Sequence, residues 1–185
     1  MLSTAKNVSH ASKVWRLPKD IDTDNLAPGA YMKLSVAEIA KHTLESIRAE
    51  FASSVRAGDV IVAGPNFGIG SSREQAAGVL VELGVRAVIA PSFSGLFFRN
   101  AFNLGLLLLT CEQAELIEEG ERIFIRQETQ EDPLLGKQHT FWLECKKHTG
   151  LQCASIPDFL MQMIEHGGLM NVLKSKISKS STKTV

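Results

Sequence analysis

Cysteine is scarce in this chain. Among 185 residues there are three, Cys111, Cys145 and Cys153, an odd number, widely spaced and without a C-x-x-C pair. That spacing gives neither a structural zinc site nor an iron–sulfur cluster its usual ligands, so reduced thiols of a cytoplasmic protein are expected. An excess of one charge is also missing, with 20 basic against 20 acidic residues. A general nucleic-acid binder needs a basic excess or stripe, so that class is excluded. No apolar run approaches the ~20 residues of a membrane-spanning helix, and no membrane partner is expected. Met1 to Ser9 is polar, lacks the apolar centre of a secretory signal and holds no arginine. The histidines, His10, His42, His139, His148 and His166, fall at no metal-ligand spacing, and no bound metal is expected.

With 44% hydrophobic residues, the chain can bury a core. One domain over residues 1–173 is expected. The segment from Lys174 to Val185, with four lysines and no acid, reads as a disordered basic tail. Lys13 to Leu17 reads as a first strand, followed by a polar loop from Pro18 to Gly29. Val36, Ile39, Ala40, Leu44, Ile47 and Phe51 recur at helical spacing and predict one or two amphipathic helices up to about Val55. Strands are expected at Asp59 to Ala63, Val85 to Ala90 and Leu106 to Thr110. Helices between them should end near Gly84 and Asn103, the second capped by Ser92. This alternation implies an α/β fold around a right-handed parallel βαβαβ unit. Cys111 to Glu119 looks helical. Arg122 to Arg126 and His139 to Leu143 alternate like half-exposed strands, an antiparallel addition. A last helix starts at Pro157 and breaks at Gly167-Gly168.

The stretch Gly64-Pro65-Asn66-Phe67-Gly68-Ile69-Gly70-Ser71-Ser72-Arg73-Glu74-Gln75 carries the most chemistry. It joins a buried strand to a helix through glycines. Such a turn leaves backbone N–H groups converging where the helix dipole favours negative charge. Ser71, Ser72 and Arg73 stand at that point. Ser71 with Glu74, or Ser72 with Gln75, has capping-box spacing, so either serine could serve only as a cap. Arg73 opposes the macrodipole by roughly 0.3–1 kcal/mol, which favours an anion held by its fork. The P-loop, the dinucleotide fingerprint and the nucleophile elbow all fail here. No lysine follows the last glycine, Arg73 occupies the third glycine position, and G-x-S-x-G is absent.

These residues resemble the swivelling domain of aconitase-type hydro-lyases, in particular the small subunits of 3-isopropylmalate dehydratases. Three further blocks agree in order: Asp22-Thr23-Asp24 with Pro28 and Tyr31; Pro91-Ser92-Phe93 with Phe97-Phe98-Arg99-Asn100; and Asn103-Leu104-Gly105-Leu106. The match runs from about Val14 to Arg126. It departs from the common pattern at Ile69, Gln75 and Asn25-Leu26-Ala27. The resemblance implies a β/β/α swivelling fold and a two-chain hydro-lyase that isomerises 2-isopropylmalate to 3-isopropylmalate in leucine biosynthesis. It also implies a large partner subunit that carries a [4Fe–4S] cluster, while this chain binds no cofactor. Homoaconitate-type and methyl-substituted malate dehydratases remain alternatives, as does a non-catalytic anion-binding module.

By the same resemblance, Ser71 is the catalytic base, and Ser72 and Arg73 hold substrate carboxylate. Asp24 is expected beside the site, orienting a cation. Lys33, in the loop after Tyr31, would face the substrate's variable substituent, or stand in solvent. Asn66, Gly68 and Gly70 are expected to shape the turn. A serine hydroxyl barely ionises unaided; converging N–H groups, a helix N-terminus and a guanidinium favour its alkoxide.

Overall fold

The computed structural model describes residues 10–181. Met1 to Ser9 and the end of the basic tail, residues 182–185, lie outside them. The elements, in chain order, are β1 (Ser12–Leu17), α1 (Thr23–Leu26), α2 (Val36–Ala40), α3 (Phe51–Ser54), β2 (Val60–Ala63), α4 (Glu74–Glu82), β3 (Ala87–Ala90), α5 (Gly95–Asn103) and β4 (Leu107–Thr110), then β5 (Arg122–Asp132), β6 (Gly136–Glu144), β7 (Leu151–Gln152), β8 (Ile156–Pro157), α6 (Asp158–Glu165) and α7 (Leu169–Ser181).

One mixed sheet runs β4-β3-β2-β1-β5-β6-β7, with β8 also paired to β6. Strands β1 to β4 are parallel, with Val14 opposite Val60, Val60 opposite Ala87 and Ala87 opposite Leu107. Parallel strands covered on both faces read as unbroken apolar runs. Accordingly, every residue of Val60–Ala63 and Ala87–Ala90 is buried. The expected three-strand parallel unit thus gains β1 as a fourth member. From β5 onward all pairing is antiparallel. The strands expected at Arg122 to Arg126 and His139 to Leu143 are the inner parts of one long hairpin, Arg122–Asp132 with Gly136–Glu144.

Helices α4 and α5 pack on each other, and Val79, Leu80, Phe97, Ala101 and Phe102 join the strands in the core. Two glycines of the turn after β2 make close approaches that no other residue permits. A Cβ on Gly68 (φ +81°) would lie 2.2 Å from Phe97 Cγ, and one on Gly64 would lie 2.8 Å from the Lys19 backbone. The glycine turn is therefore pressed against α5 and against the loop after β1.

Four expectations change. The periodic run from Val36 does not make long helices: α2 and α3 are short, separated by turns in which Leu44 takes φ +62°. Leu44 N–H donates to the Asn25 carbonyl (2.8 Å), a tertiary bond that interrupts the helix while keeping Leu44 buried. Cys111 to Glu119 contains only a 3-10 turn, Ala114–Leu116, which packs on β2 and β3. The tail expected to be disordered from Lys174 is helical through Ser181, because α7 continues past it. Ser92 caps no helix either: α5 starts after Ser94, whose side chain makes no cap bond.

Candidate active site

The site is built at the C-terminal ends of β1 and β2. After β1 the chain forms a small capped turn. Asp22 accepts from Asn25 N–H (2.7 Å), and the Asn25 side chain accepts from Asp22 N–H (3.1 Å). This segment lies alongside the glycine turn. Gly68 N–H donates to the Ile21 carbonyl (2.7 Å), and Thr23 N–H to the Ile69 carbonyl (2.8 Å). Buried Thr23 completes the junction, its Oγ1 accepting from Ser71 N–H (3.0 Å). Gly70, at φ +97°, gives the chain the turn that brings Ser71 to Thr23.

Asn66 shapes the start of the turn at φ +63°, a region Asn tolerates. Its N–H donates to Ser92 Oγ (2.9 Å) and its Nδ2 to Asp20 Oδ1 (2.8 Å). Ser92 thus serves the turn rather than a helix end.

Ser71 and Ser72 are exposed, and neither hydroxyl has a partner among the described residues. Neither serine caps α4. Arg73 is the N-cap residue, in extended conformation, and makes no side-chain cap bond. The α4 N-terminus therefore keeps first-turn N–H groups uncapped by any side chain, next to two free hydroxyls.

The cation expected to meet an incoming anion already has an internal partner. Arg73 Nη1 donates to Asp24 Oδ1 (2.5 Å) and to the Ala27 carbonyl (2.9 Å). Gly29 N–H also donates to Asp24 Oδ1 (2.9 Å). These bonds, Arg73's first, hold the Asp24 carboxyl below its ordinary range, so it remains a carboxylate. Only Nη1 is used; Nε and Nη2 have no partner among the described residues. Asp24 thereby fixes one arm of the fork and leaves the other open.

Asp24, Arg73, Ser71 and the glycine turn are brought together in this way. Lys33 stands exposed on the turn after the 3-10 helix Gly29–Tyr31, with no contact to Asp24 or Arg73 among the described residues. That loop nevertheless borders the site at Gly29, where a Cβ would lie 3.5 Å from Arg73 Nη2, and it is stiffened by Tyr31 stacked on His42 (3.7 Å between centroids).

Sequence reasoning missed two residues, Thr23 and Asn100. Asn100, on α5, donates from Nδ2 to the Ser72 carbonyl (3.2 Å). Both belong to the blocks that carried the resemblance, and that was the available signal. Among the described residues no three His, Cys, Asp or Glu side chains gather to hold a metal ion, and no helix is long and apolar enough to cross a membrane.

The aconitase C-terminal domain family matches residues 19–114, which contain every site residue named above. The chain is 40% identical to the 3-isopropylmalate dehydratase small subunit 1 of Archaeoglobus fulgidus, over 88% of this chain and 96% of that one. It is 40% identical to the 3-isopropylmalate dehydratase small subunit of Sulfurimonas denitrificans, over 89% and 93%. The crystal structure of a 3-isopropylmalate dehydratase chain from Methanocaldococcus jannaschii superposes with a TM-score of 0.78 at 32% identity, covering 94% of this chain and 98% of that one. The chain belongs to the aconitase C-terminal domain family, among the 3-isopropylmalate dehydratase small subunits.

Proposed function

We propose that this chain is the small subunit of a cytoplasmic two-chain hydro-lyase that converts 2-isopropylmalate to 3-isopropylmalate for leucine biosynthesis. The observation that carries the reading is the half-used guanidinium of Arg73 beside two unbonded serine hydroxyls at an open helix N-terminus. The names of the relatives supply the substrate class.

The reaction removes a proton from one carbon and hydroxide from its neighbour, then adds water back in the opposite sense. A carboxylate of the substrate lies on Arg73 Nε and Nη2 and on the Ser72 hydroxyl, in the fork geometry guanidinium favours. Ser71 Oγ, as its alkoxide, takes the proton from the carbon beside a carboxylate. Its position is set from behind by the Ser71 N–H bond to Thr23, and the Ser72 carbonyl is pinned by Asn100. The positive end of α4 and Arg73 stabilise the alkoxide. A Lewis acid able to accept the hydroxide is assigned to a [4Fe–4S] cluster of the large subunit. The described residues of this chain do not fit such a group, since no three cysteine, histidine, aspartate or glutamate side chains gather among them.

A second reading, a homoaconitate-type or methyl-substituted malate dehydratase, rests on Lys33. Its loop borders Arg73, and an ammonium there would suit a third carboxylate better than an isopropyl group. The test is kcat/KM of the pair reconstituted anaerobically with the large subunit, on 2-isopropylmalate, methyl-substituted malates and homoaconitate. The highest efficiency is expected with isopropylmalate. A preference for the tricarboxylate, abolished by Lys33→Val, would replace the substrate while leaving the reaction class intact.

A further inference from the structure

A second basic site lies at the opposite ends of the parallel strands. The segments that lead into β1, β2 and β3, with the start of β5, surround a cavity of about 550 Å³. Its lining includes Lys13, Arg56, Arg86 and Arg122, with Asp59 as the sole carboxylate. That volume lies within the ~300–1,000 Å³ of small-molecule sites.

Asp59 does not neutralise these cations. Nearly buried, it accepts on Oδ2 from Trp15 Nε1 (2.9 Å) and from Arg56 N–H (3.0 Å). None of Arg56, Arg86 or Arg122 forms an ion pair among the described residues. Arg86 is half-buried and held in place: its N–H donates to the Asp59 carbonyl (2.8 Å) and its Nη1 to Ser12 Oγ (3.0 Å). Its remaining nitrogens have no protein partner among the described residues. Burial pushes the Arg86 guanidinium below its ordinary range, the mark of a cation without a counter-charge. In a chain whose formal net charge is zero, so many unpaired cations round one cavity require a reason. Folding alone would favour scattering them or pairing them.

We infer that this cavity binds a small multiply charged anion, a phosphate-bearing or polycarboxylate molecule, clamped between the fixed guanidinium of Arg86 and the rim residues Arg56 and Arg122. The site is separate from the serine-arginine turn, which lies at the other ends of the same strands. Occupancy at one end therefore leaves the other end open to substrate.

Isothermal titration of the full chain at constant ionic strength tests this, with pyrophosphate as the phosphate probe and citrate as the polycarboxylate probe. At least one probe is expected to bind at a single saturable site, and the tighter of the two identifies the ligand class. Affinity should fall about ten-fold or more in the double variant Arg56→Gln/Arg122→Gln, as loss of charge-assisted bonds implies. Both residues are exposed, so this variant should keep the wild-type Tm. Arg86→Met should weaken binding at least as much, and Arg73→Lys should not change it. The inference is overturned if neither probe binds saturably. It is equally overturned if the cavity variants bind as wild type, or if Arg73→Lys abolishes binding, which would place the anion on the glycine turn.

Discussion

Arg73 and Arg86 stand at opposite ends of one parallel sheet and are managed in opposite ways. Arg73 follows β2 and is oriented by the Asp24 carboxylate, which occupies one nitrogen and leaves the rest of the fork open. Arg86 precedes β3 and is oriented by a serine hydroxyl, with no acid to share its charge. An internal carboxylate makes a cation directional at little cost in free charge. Its absence leaves the full charge available but broadly aimed. The first arrangement suits positioning one substrate carboxylate for chemistry, and the second suits holding a polyanion.

The sharpest way to break this contrast is to remove the hydroxyl proposed as the base at the first end. Ser71→Ala in the reconstituted pair should lower turnover by at least ~100-fold, as loss of a base does. Because Ser71 is exposed and caps no helix, the folding stability of the variant should stay within about 0.5 kcal/mol of wild type, the range of ordinary surface changes. A fall in Tm with turnover preserved would reduce that end to a structural feature. Next in size, Arg73→Lys keeps charge but loses the fork. One charge-assisted bond is worth about 1.5–3 kcal/mol, so kcat/KM should fall roughly ten- to hundred-fold. Unchanged kinetics would contradict a carboxylate contact.

Thr23→Val probes the support behind Ser71. It keeps the shape but removes the acceptor of Ser71 N–H. A lost hydrogen bond of about 1 kcal/mol should appear as a roughly five-fold loss in kcat with KM little changed. Equal losses in kcat and Tm, each restored by Thr23→Ser, would still support positioning. A wild-type kcat would remove Thr23 from the site.

The smallest effect lies away from both ends, where α6 is fastened to the β5–β6 hairpin. Buried His139 bonds Asp158 through Nε2 (2.9 Å), and Gln162 reaches its other oxygen (2.8 Å). The His139 bond, then that of Gln162, depresses the Asp158 pKa from 3.8 to about 2. A depressed acid adds stability that is present above its unfolded value and lost as pH falls through its folded one. Wild type should therefore lose this contribution between about pH 4 and pH 2. Asp158→Asn should lack that part of the acid slope while keeping neutral-pH activity. Asp158 is partly exposed, so solvent screening keeps the effect modest.

The parallel half of the fold was legible in the sequence because fully buried strands leave unbroken apolar runs, as Val60–Ala63 and Ala87–Ala90 do. The glycine turn was legible because only glycine fits the contact of Gly68 with Phe97. What sequence reading lost depends on distant partners. Leu44 looked like one more helical position, yet its N–H is claimed by Asn25. Arg73 looks unneutralised in its local sequence because Asp24 lies 49 positions earlier, and only the resemblance set that acid beside the site. Thr23 and Asn100 act through the backbone of the serine pair, and no local pattern marks a side chain that serves a remote peptide group.

On the proposed function, this chain brings a base and a carboxylate clamp but not the Lewis acid, so chemistry requires a second chain. The direct measurement is anaerobic turnover of 2-isopropylmalate by this chain alone, by the large subunit alone and by their mixture. Activity is expected in the mixture only. Turnover by this chain alone at the rate of the mixture would show that it needs no second chain.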